Sequence, residues 1–485
     1  MASYQTKLFI NNEYVPSSTG ETLEVYNPAD DSLITNTVQI ASDADVDTAV
    51  AAAKAAFKTW RKTPSTQRAA MMNRYADLLE KHLDEVAKLE SICMGVPVHM
   101  AKWVLTVQAS NFRYFAGMAD KIAGETYPED GDGYFKMVNY EPLGVVAGIA
   151  AWNGTQLFVG WKIAPAVAAG NTIVFKTSEK SPLAVLYLGA LFKEAGFPPG
   201  VINLLSGAAN TGSKMASHME IAKISFTGSV NAGRQVQIAA AKSNLKIVTL
   251  ELGGKSASII FNDANIENAV THNSQNFLAN SAQSCSAGSR ILVQEGVAAA
   301  FIEKLKAAYT QIAASMGDPA LASTFMGPVA DQAQFSRVME FIDGAKAEGI
   351  EVLTGGGRQG NKGRFIQPTI LLNPDKNSRV YTEEIFGPVV TVKTFKTEDE
   401  VIEMANNTVF GLAATVYTTN LTRAMRVTSQ LEAGLVSVNS AHTVLLQTPW
   451  GGWKESGYGR EGGIHGFTEY LQTKTVHINM NAPDN

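Results

Sequence analysis

The sequence predicts an α/β fold built on parallel sheets, and two observations carry that expectation. From Leu143 onward, short apolar runs alternate with stretches of helix length. The runs are apolar at successive positions, as strands covered by helices on both faces must be.

The elements follow in order. Residues 45–60 carry Val46, Val50, Ala53 and Phe57 at helical spacing, and residues 67–90 repeat the pattern with Leu78, Leu79 and Leu83. A third helix is expected over residues 98–122, with Gly124 as its stop, so the first third of the chain reads as helical. Residues 144–150 form the first buried strand. Helix 161–169, strand 171–176, helix 182–195 and strand 201–205 follow, then strand 223–226, helix 231–241 and strand 246–250. The rhythm resumes with strand 256–261, helix 264–282, strand 290–293 and a long helix to Met316; 389–392 and 413–417 extend a second sheet. Residues 28–31 and 355–363 read as surface turns. Residues 130–141 and 470–479 alternate with strand period, either as peripheral strands that pair with another subunit or as an ordinary edge hairpin.

Composition narrows the function classes. The 485 residues are 45% hydrophobic and 18% charged, ordinary for a globular chain that buries its own core. A net charge of −5 with scattered Lys and Arg gives no footprint for nucleic acid or a membrane surface. No apolar run approaches the roughly 20 residues of a membrane span. Two cysteines cannot build a disulfide framework, which points to a reducing, cytoplasmic compartment. No metal site is assigned.

The chemistry gathers around one thiol. Cys285 lies in Asn-Ser-Ala-Gln-Ser-Cys-Ser-Ala-Gly-Ser-Arg (280–290), among small polar residues unlike an apolar core. Cys93, in helical Leu-Glu-Ser-Ile-Cys-Met (89–94), suits a core instead. Upstream, Glu251 opens Glu-Leu-Gly-Gly-Lys (251–255) directly after an apolar strand, so its carboxylate emerges from the interior. A thiol nucleophile and a carboxylate base are the parts of covalent acyl chemistry. Gly228 and Gly233 frame a turn into a helix whose N-terminal amides suit a pyrophosphate, with Ser229 as a further donor. This is not the G-x-G-x-x-G fingerprint, and residues 253–256 are no P-loop, because Thr249 stands where the earlier glycine belongs.

Eight motifs in register resemble the aldehyde dehydrogenase superfamily along nearly the whole chain. They are Trp152-Asn153, the runs 161–171 and 175–179, Phe-Thr-Gly-Ser-Val-Asn-Ala-Gly (226–233), Glu-Leu-Gly-Gly-Lys (251–255), Gln-Ser-Cys-Ser-Ala-Gly-Ser-Arg (283–290), Glu-Glu-Ile-Phe-Gly-Pro-Val (383–389) and the run 449–461. The resemblance implies an aldehyde dehydrogenase-like fold. A Rossmann-like NAD-binding domain would span 1–125 and 146–252, a catalytic α/β domain 253–455, and a β oligomerisation arm 126–145 and 466–485. It implies NAD(P)-dependent oxidation of an aldehyde to an acid in a homodimer or homotetramer. Cys285 would be the nucleophile, the Asn153 amide an oxyanion donor beside the Cys285 N–H, and Glu251 the base that activates water. Trp152, Lys176, Glu179, Gly228, Ser229, Gly233, Leu252, Glu384 and Phe386 would hold the cofactor, with Gln334 and Arg337 at the nicotinamide ribose. Glu179 would repel a 2′-phosphate and favour NAD, leaving NADP possible.

The chain departs from the family pattern around Asn153. Gly154 replaces an aromatic and Thr155 a proline, Ala282 stands where glycine is usual, and Ser284 precedes the nucleophile. Gly154, Phe158, Trp161, Val444 and Trp450 would line the reshaped aldehyde pocket. Two alternatives stay open: a CoA-acylating semialdehyde dehydrogenase, whose relatives generally lack the Glu251 carboxylate, and a catalytically silent structural relative.

Overall fold

The apolar runs assemble into two large sheets, beside three small ones, in a computed structural model that describes residues 4–441 and 444–481. The first has eight strands in the order Glu13–Val15, Leu8–Ile10, Ile202–Leu205, Thr172–Lys176, Val145–Ile149, Lys223–Thr227, Ile247–Glu251, Gly457–Tyr458. Its five central strands are parallel, and four of them are buried at every position. That is why they read as unbroken apolar runs. The second sheet has seven strands, ordered Glu351–Thr354, Thr369–Leu372, Val389–Phe395, Arg290–Gln294, Ala257–Ile260, Ala413–Tyr417, Leu435–Val438. All its pairings are parallel except the first.

The third sheet joins the two alternating segments. Tyr134–Pro142 and Leu471–Asn479 pair antiparallel over nine residues, from Pro142↔Leu471 to Tyr134↔Asn479, and Glu125–Tyr127 adds a short edge. Tyr134, Phe135 and Ile478 on it are exposed.

Several expected elements differ. The first third is not wholly helical: Leu8–Ile10 and Glu13–Val15 extend the first sheet, and Thr22–Tyr26 pairs with Leu33–Gln39. The helix expected over 67–90 is two, Ser65–Lys81 and Leu83–Met94, broken at His82, whose ring meets the Tyr187 hydroxyl at 2.8 Å. The next helix, Val98–Ala116, ends at Gly117 rather than near Gly124, in keeping with the poor helix propensity of glycine. The helix expected over 264–282 runs from Ile266 through a π turn at His272–Asn276 to Leu278, and stops short of a left-handed run with Asn280, Ser281 and Ala282 at φ of 50°, 56° and 56°. Hydrogen bonds to other segments hold that left-handed run: Asn280 Nδ2 donates to the Asn153 carbonyl at 3.1 Å, and Ser281 Oγ to Gly327 O at 2.8 Å. Among the described residues no helix is long and apolar enough to cross a membrane.

The carboxyl ends of the first sheet face the site, where ligands bind in open α/β sheets. Asn153 follows the Val145–Ile149 strand, and Lys176, Thr227 and Glu251 end their own strands.

Candidate active site

A cleft of about 1200 Å³ lies between those strand ends and the second sheet. Asn153, Glu251 and Cys285 all line it, from three separate segments of the chain. So do Trp152, Lys176, Glu179, Gly228, Ser229, Leu252, Gln334, Arg337, Glu384 and Phe386.

The Cys285 loop is held from two sides. Asn153 Nδ2 donates to the Gln283 carbonyl at 3.1 Å, so the amide sits against the turn that delivers Cys285. The Gln283 amide clamps that turn in turn, with Nε2 donating to Asn280 O at 3.0 Å and Oε1 accepting from Ala330 N at 2.9 Å. Gly254 lies so close to the Cys285 carbonyl that a Cβ there would collide with it.

Burial favours the neutral form of both Cys285 and Glu251. Burial pushes the Cys285 thiol up to about 12, helped by the Glu384 and Glu251 carboxylates. Burial also pushes Glu251 well above the usual carboxylate range, and Glu461 adds to the rise. Glu251 is 3% exposed, and neither of its oxygens has a protein hydrogen-bond partner. A buried carboxyl without a protein partner that lines a cleft is a candidate functional group.

The residues lining the rest of the cleft suit a nucleotide. Ser229 caps the helix Val230–Lys242, its Oγ accepting from Ala232 N at 3.3 Å. Gly233 does not line the cleft; a Cβ there would fall 2.6 Å from the Leu252 side chain, so its bareness lets the helix approach the Leu252 wall. Lys176 and Glu179 lie 3.7 Å apart. Glu384 accepts from Gly254 N at 2.9 Å, and burial pushes its carboxyl up to about 7. Arg337 donates to the Glu384 carbonyl at 2.8 Å, and Gln334 to the Phe386 carbonyl at 2.6 Å.

The sequence model of the aldehyde dehydrogenase family matches residues 14–476. The chain belongs to the aldehyde dehydrogenase family. An aldehyde dehydrogenase of Emericella nidulans is 47% identical over 98% of this chain and 95% of its own length. Retinal dehydrogenase 2 of Homo sapiens is 46% identical over 98% of this chain and 92% of its own. Among solved structures, betaine aldehyde dehydrogenase from Staphylococcus aureus in complex with NAD+ superposes with a TM-score of 0.96 at 37% identity. The match covers 99% of this chain and 96% of that one. The resemblance stated from eight motifs and the α/β fold expected from the alternation both stand.

Other residues of this family member complete the surroundings. Phe158, Trp161 and Trp450 form an aromatic cluster, with centroid separations of 6.0 and 5.3 Å, and Val444 packs on the same core. These residues do not line the large cleft. Gly154 abuts the Phe158 ring, which a Cβ would meet at 3.6 Å.

Sequence reasoning missed the network behind Glu251. Lys162, fully buried, pairs with Glu461 and donates to Ser225 Oγ at 2.8 Å; Ser225 Oγ donates to Glu461 Oε1 at 2.9 Å. Both ions sit inside quoted motifs, and an ionic residue within an otherwise apolar helix was the available signal. Gly451 was missed as well: a Cβ there would fall 2.8 Å from Glu251 Oε1.

Proposed function

We propose that this chain oxidises an aldehyde to a carboxylic acid with NAD, through an acyl group carried on Cys285 and released by hydrolysis. The observation that carries the reading is the convergence of Cys285, Asn153 and Glu251 on one cleft.

The cleft fits the cofactor. The first-turn amides of the Val230–Lys242 helix suit a pyrophosphate. Lys176 and Glu179 would hold the adenosine ribose, and the Glu179 charge would disfavour a 2′-phosphate. Glu384 would accept from the nicotinamide ribose, with Phe386 and Trp152 packed near the ring. Bound NAD supplies the hydride acceptor and the positive charge that the carboxylates around Cys285 lack.

The chain's own groups do the rest. Cys285 Sγ attacks the carbonyl carbon as a thiolate, its proton passing to a water in the cleft, and gives a tetrahedral thiohemiacetal. The developing oxyanion is held by Asn153 Nδ2 and the Cys285 N–H. Oxidation leaves a thioester on Cys285. Glu251 takes a proton from water as the water attacks the thioester carbon. The C–S bond then breaks, the acid leaves, and the proton returns to Cys285. An acyl acceptor other than water would not need a buried carboxyl beside the thioester.

We further assign residues 1–125 and 146–252 to cofactor binding, 253–455 to catalysis, and 126–145 with 466–485 to an oligomerisation arm. Residues 482–485 of that arm lie outside the described residues. The exposed apolar residues of the three-stranded sheet support assembly as a homodimer or homotetramer. Two unpaired thiols fit a reducing cytoplasm.

Gly154 leaves unfilled the space a larger side chain would take over the Phe158 ring, which favours an aromatic or branched aldehyde. NADH formation across acetaldehyde, hexanal, benzaldehyde and betaine aldehyde tests both layers. Absence of NADH with every aldehyde contradicts the activity, and a clear preference for acetaldehyde contradicts the wide pocket.

A further inference from the structure

We infer that Lys180 is a positioning residue that closes a ring of five side chains across the cleft and thereby sets the oxyanion donor and the cofactor contacts together. The inference rests on the reading of the cleft as an NAD and aldehyde site.

The ring can be traced contact by contact. The Lys180 ammonium lies 4.7 Å from the centre of the Trp152 ring and 2.5 Å from Asp331 Oδ2. The other oxygen of the same carboxylate, Asp331 Oδ1, accepts from Gln334 N at 2.7 Å and so caps the helix Gln332–Ala347. From that helix Gln334 Nε2 reaches the Phe386 carbonyl at 2.6 Å. The Phe386 ring returns to Trp152, edge to face, with centroids 5.2 Å apart. Lys180 leads out of the first sheet and the Gln332–Ala347 helix packs on the second, so the ring straps the two walls of the cleft.

Each anchor lies beside a group with a job. Trp152 precedes Asn153, Lys180 follows Glu179, and Phe386 lies two residues beyond Glu384. Phe386 itself has a φ of 60°, a left-handed backbone rarely adopted by a residue with a side chain, so it needs an external hold. Lys180 and Asp331 do not line the cleft and touch neither ligand, so they act only through the residues they fix.

Lysine suits the place for two reasons. Its cation is attracted to the face of an indole, and the same ammonium can meet a carboxylate. The side chains of Lys180 and Asp331 are 21% and 27% exposed, so the ion pair is partly screened. Neither contact alone would set the geometry; both together fix the ammonium between the walls.

The test uses the full chain with NAD titrated calorimetrically and steady-state kinetics on the best aldehyde of the panel. Lys180→Met keeps the stem without the charge. Asp331→Asn keeps the cap, because asparagine caps helices as well as aspartate, but loses the ion pair. Lys180→Met, which loses the partly exposed ion pair and the cation–π contact together, is expected to weaken NAD binding and lower kcat by about fivefold, and Asp331→Asn, which loses the ion pair alone, by about threefold. Aldehyde KM should hold, since an oxyanion donor acts in the transition state. The double variant should lose no more than Lys180→Met alone, and Lys180→Arg, which keeps both contacts, should return to within about twofold of the wild type. A merely structural lysine would not show this rescue together with non-additivity. If wild-type chain binds NAD while both single variants match it within about twofold, the ring is overturned and the function is not. Additive losses in the double variant also overturn the ring. A wild-type chain that binds no NAD overturns the function and the ring with it.

Discussion

In the proposed mechanism Asn153 carries a defined share of the chemistry. Its amide is aimed by a bond to the Gln283 carbonyl and by Asn280 holding the Asn153 carbonyl. Asn153→Ala is expected to cut kcat/KM by about a hundredfold, the usual loss for one oxyanion donor, with NAD affinity unchanged. An unchanged kcat/KM would remove Asn153 from the oxyanion hole. At this scale the sequence was most legible where a rare residue type stood on a turn: Cys285 and Glu251 declare themselves among glycines and serines. Lys162 and Glu461 did not, because a charged residue normally reads as solvated. Only the fold brings them together from 299 positions apart.

Elements deliver these residues by local conformations that no periodicity reveals. The left-handed run Asn280, Ser281, Ala282 contains no glycine, so its sequence gives no warning that the helical pattern stops there. It holds because hydrogen bonds from neighbouring segments outweigh the local cost. Most central buried strands, by contrast, were readable, because burial on both faces demands unbroken apolar runs, although Thr369–Leu372 was not read and Val389–Phe395 runs past the expected end. The loop carrying Gly451 gives an element-scale expectation. A Cβ there would fall 2.8 Å from Glu251 Oε1, and as close to Arg460 Cδ and the Gly459 carbonyl. Gly451→Ala should therefore push the Glu251 carboxyl aside and slow hydrolysis more than acylation. Stopped-flow absorbance should show a normal first-turnover burst of NADH followed by a steady rate reduced by tenfold or more, on the order of one displaced catalytic group. Equal slowing of both phases would contradict this.

The whole molecule carries a charge its core would shed. Glu90 is buried against Gln156 Nε2 at 3.3 Å, and burial pushes its carboxyl up to about 8. The folded chain therefore holds this proton more tightly than the unfolded chain does. That contribution to stability is fully present below the ordinary range of a glutamate and is lost as pH rises through about 8. Glu90→Gln, which is neutral at every pH, should raise the melting temperature at pH above 8 by about 2 °C or more relative to wild type, and much less near pH 5. Equal shifts at both pH values would contradict a neutral Glu90. The central strands of the two parallel sheets and the peripheral strands were legible in the sequence. The N-terminal strands of the first sheet were not, since three-residue edge strands are too short to show a period.

The central claim is that an acyl group passes through Cys285 and leaves only when Glu251 activates water. Intact-protein mass spectrometry of Glu251→Gln, quenched after mixing with NAD and a good aldehyde, tests it most directly. The account predicts one equivalent of NADH and a stable mass increase equal to the acyl group, mapped by digestion to the peptide containing Cys285 and absent in Cys285→Ala. Continuous turnover by Glu251→Gln without an adduct, or an adduct on any other residue, would contradict it.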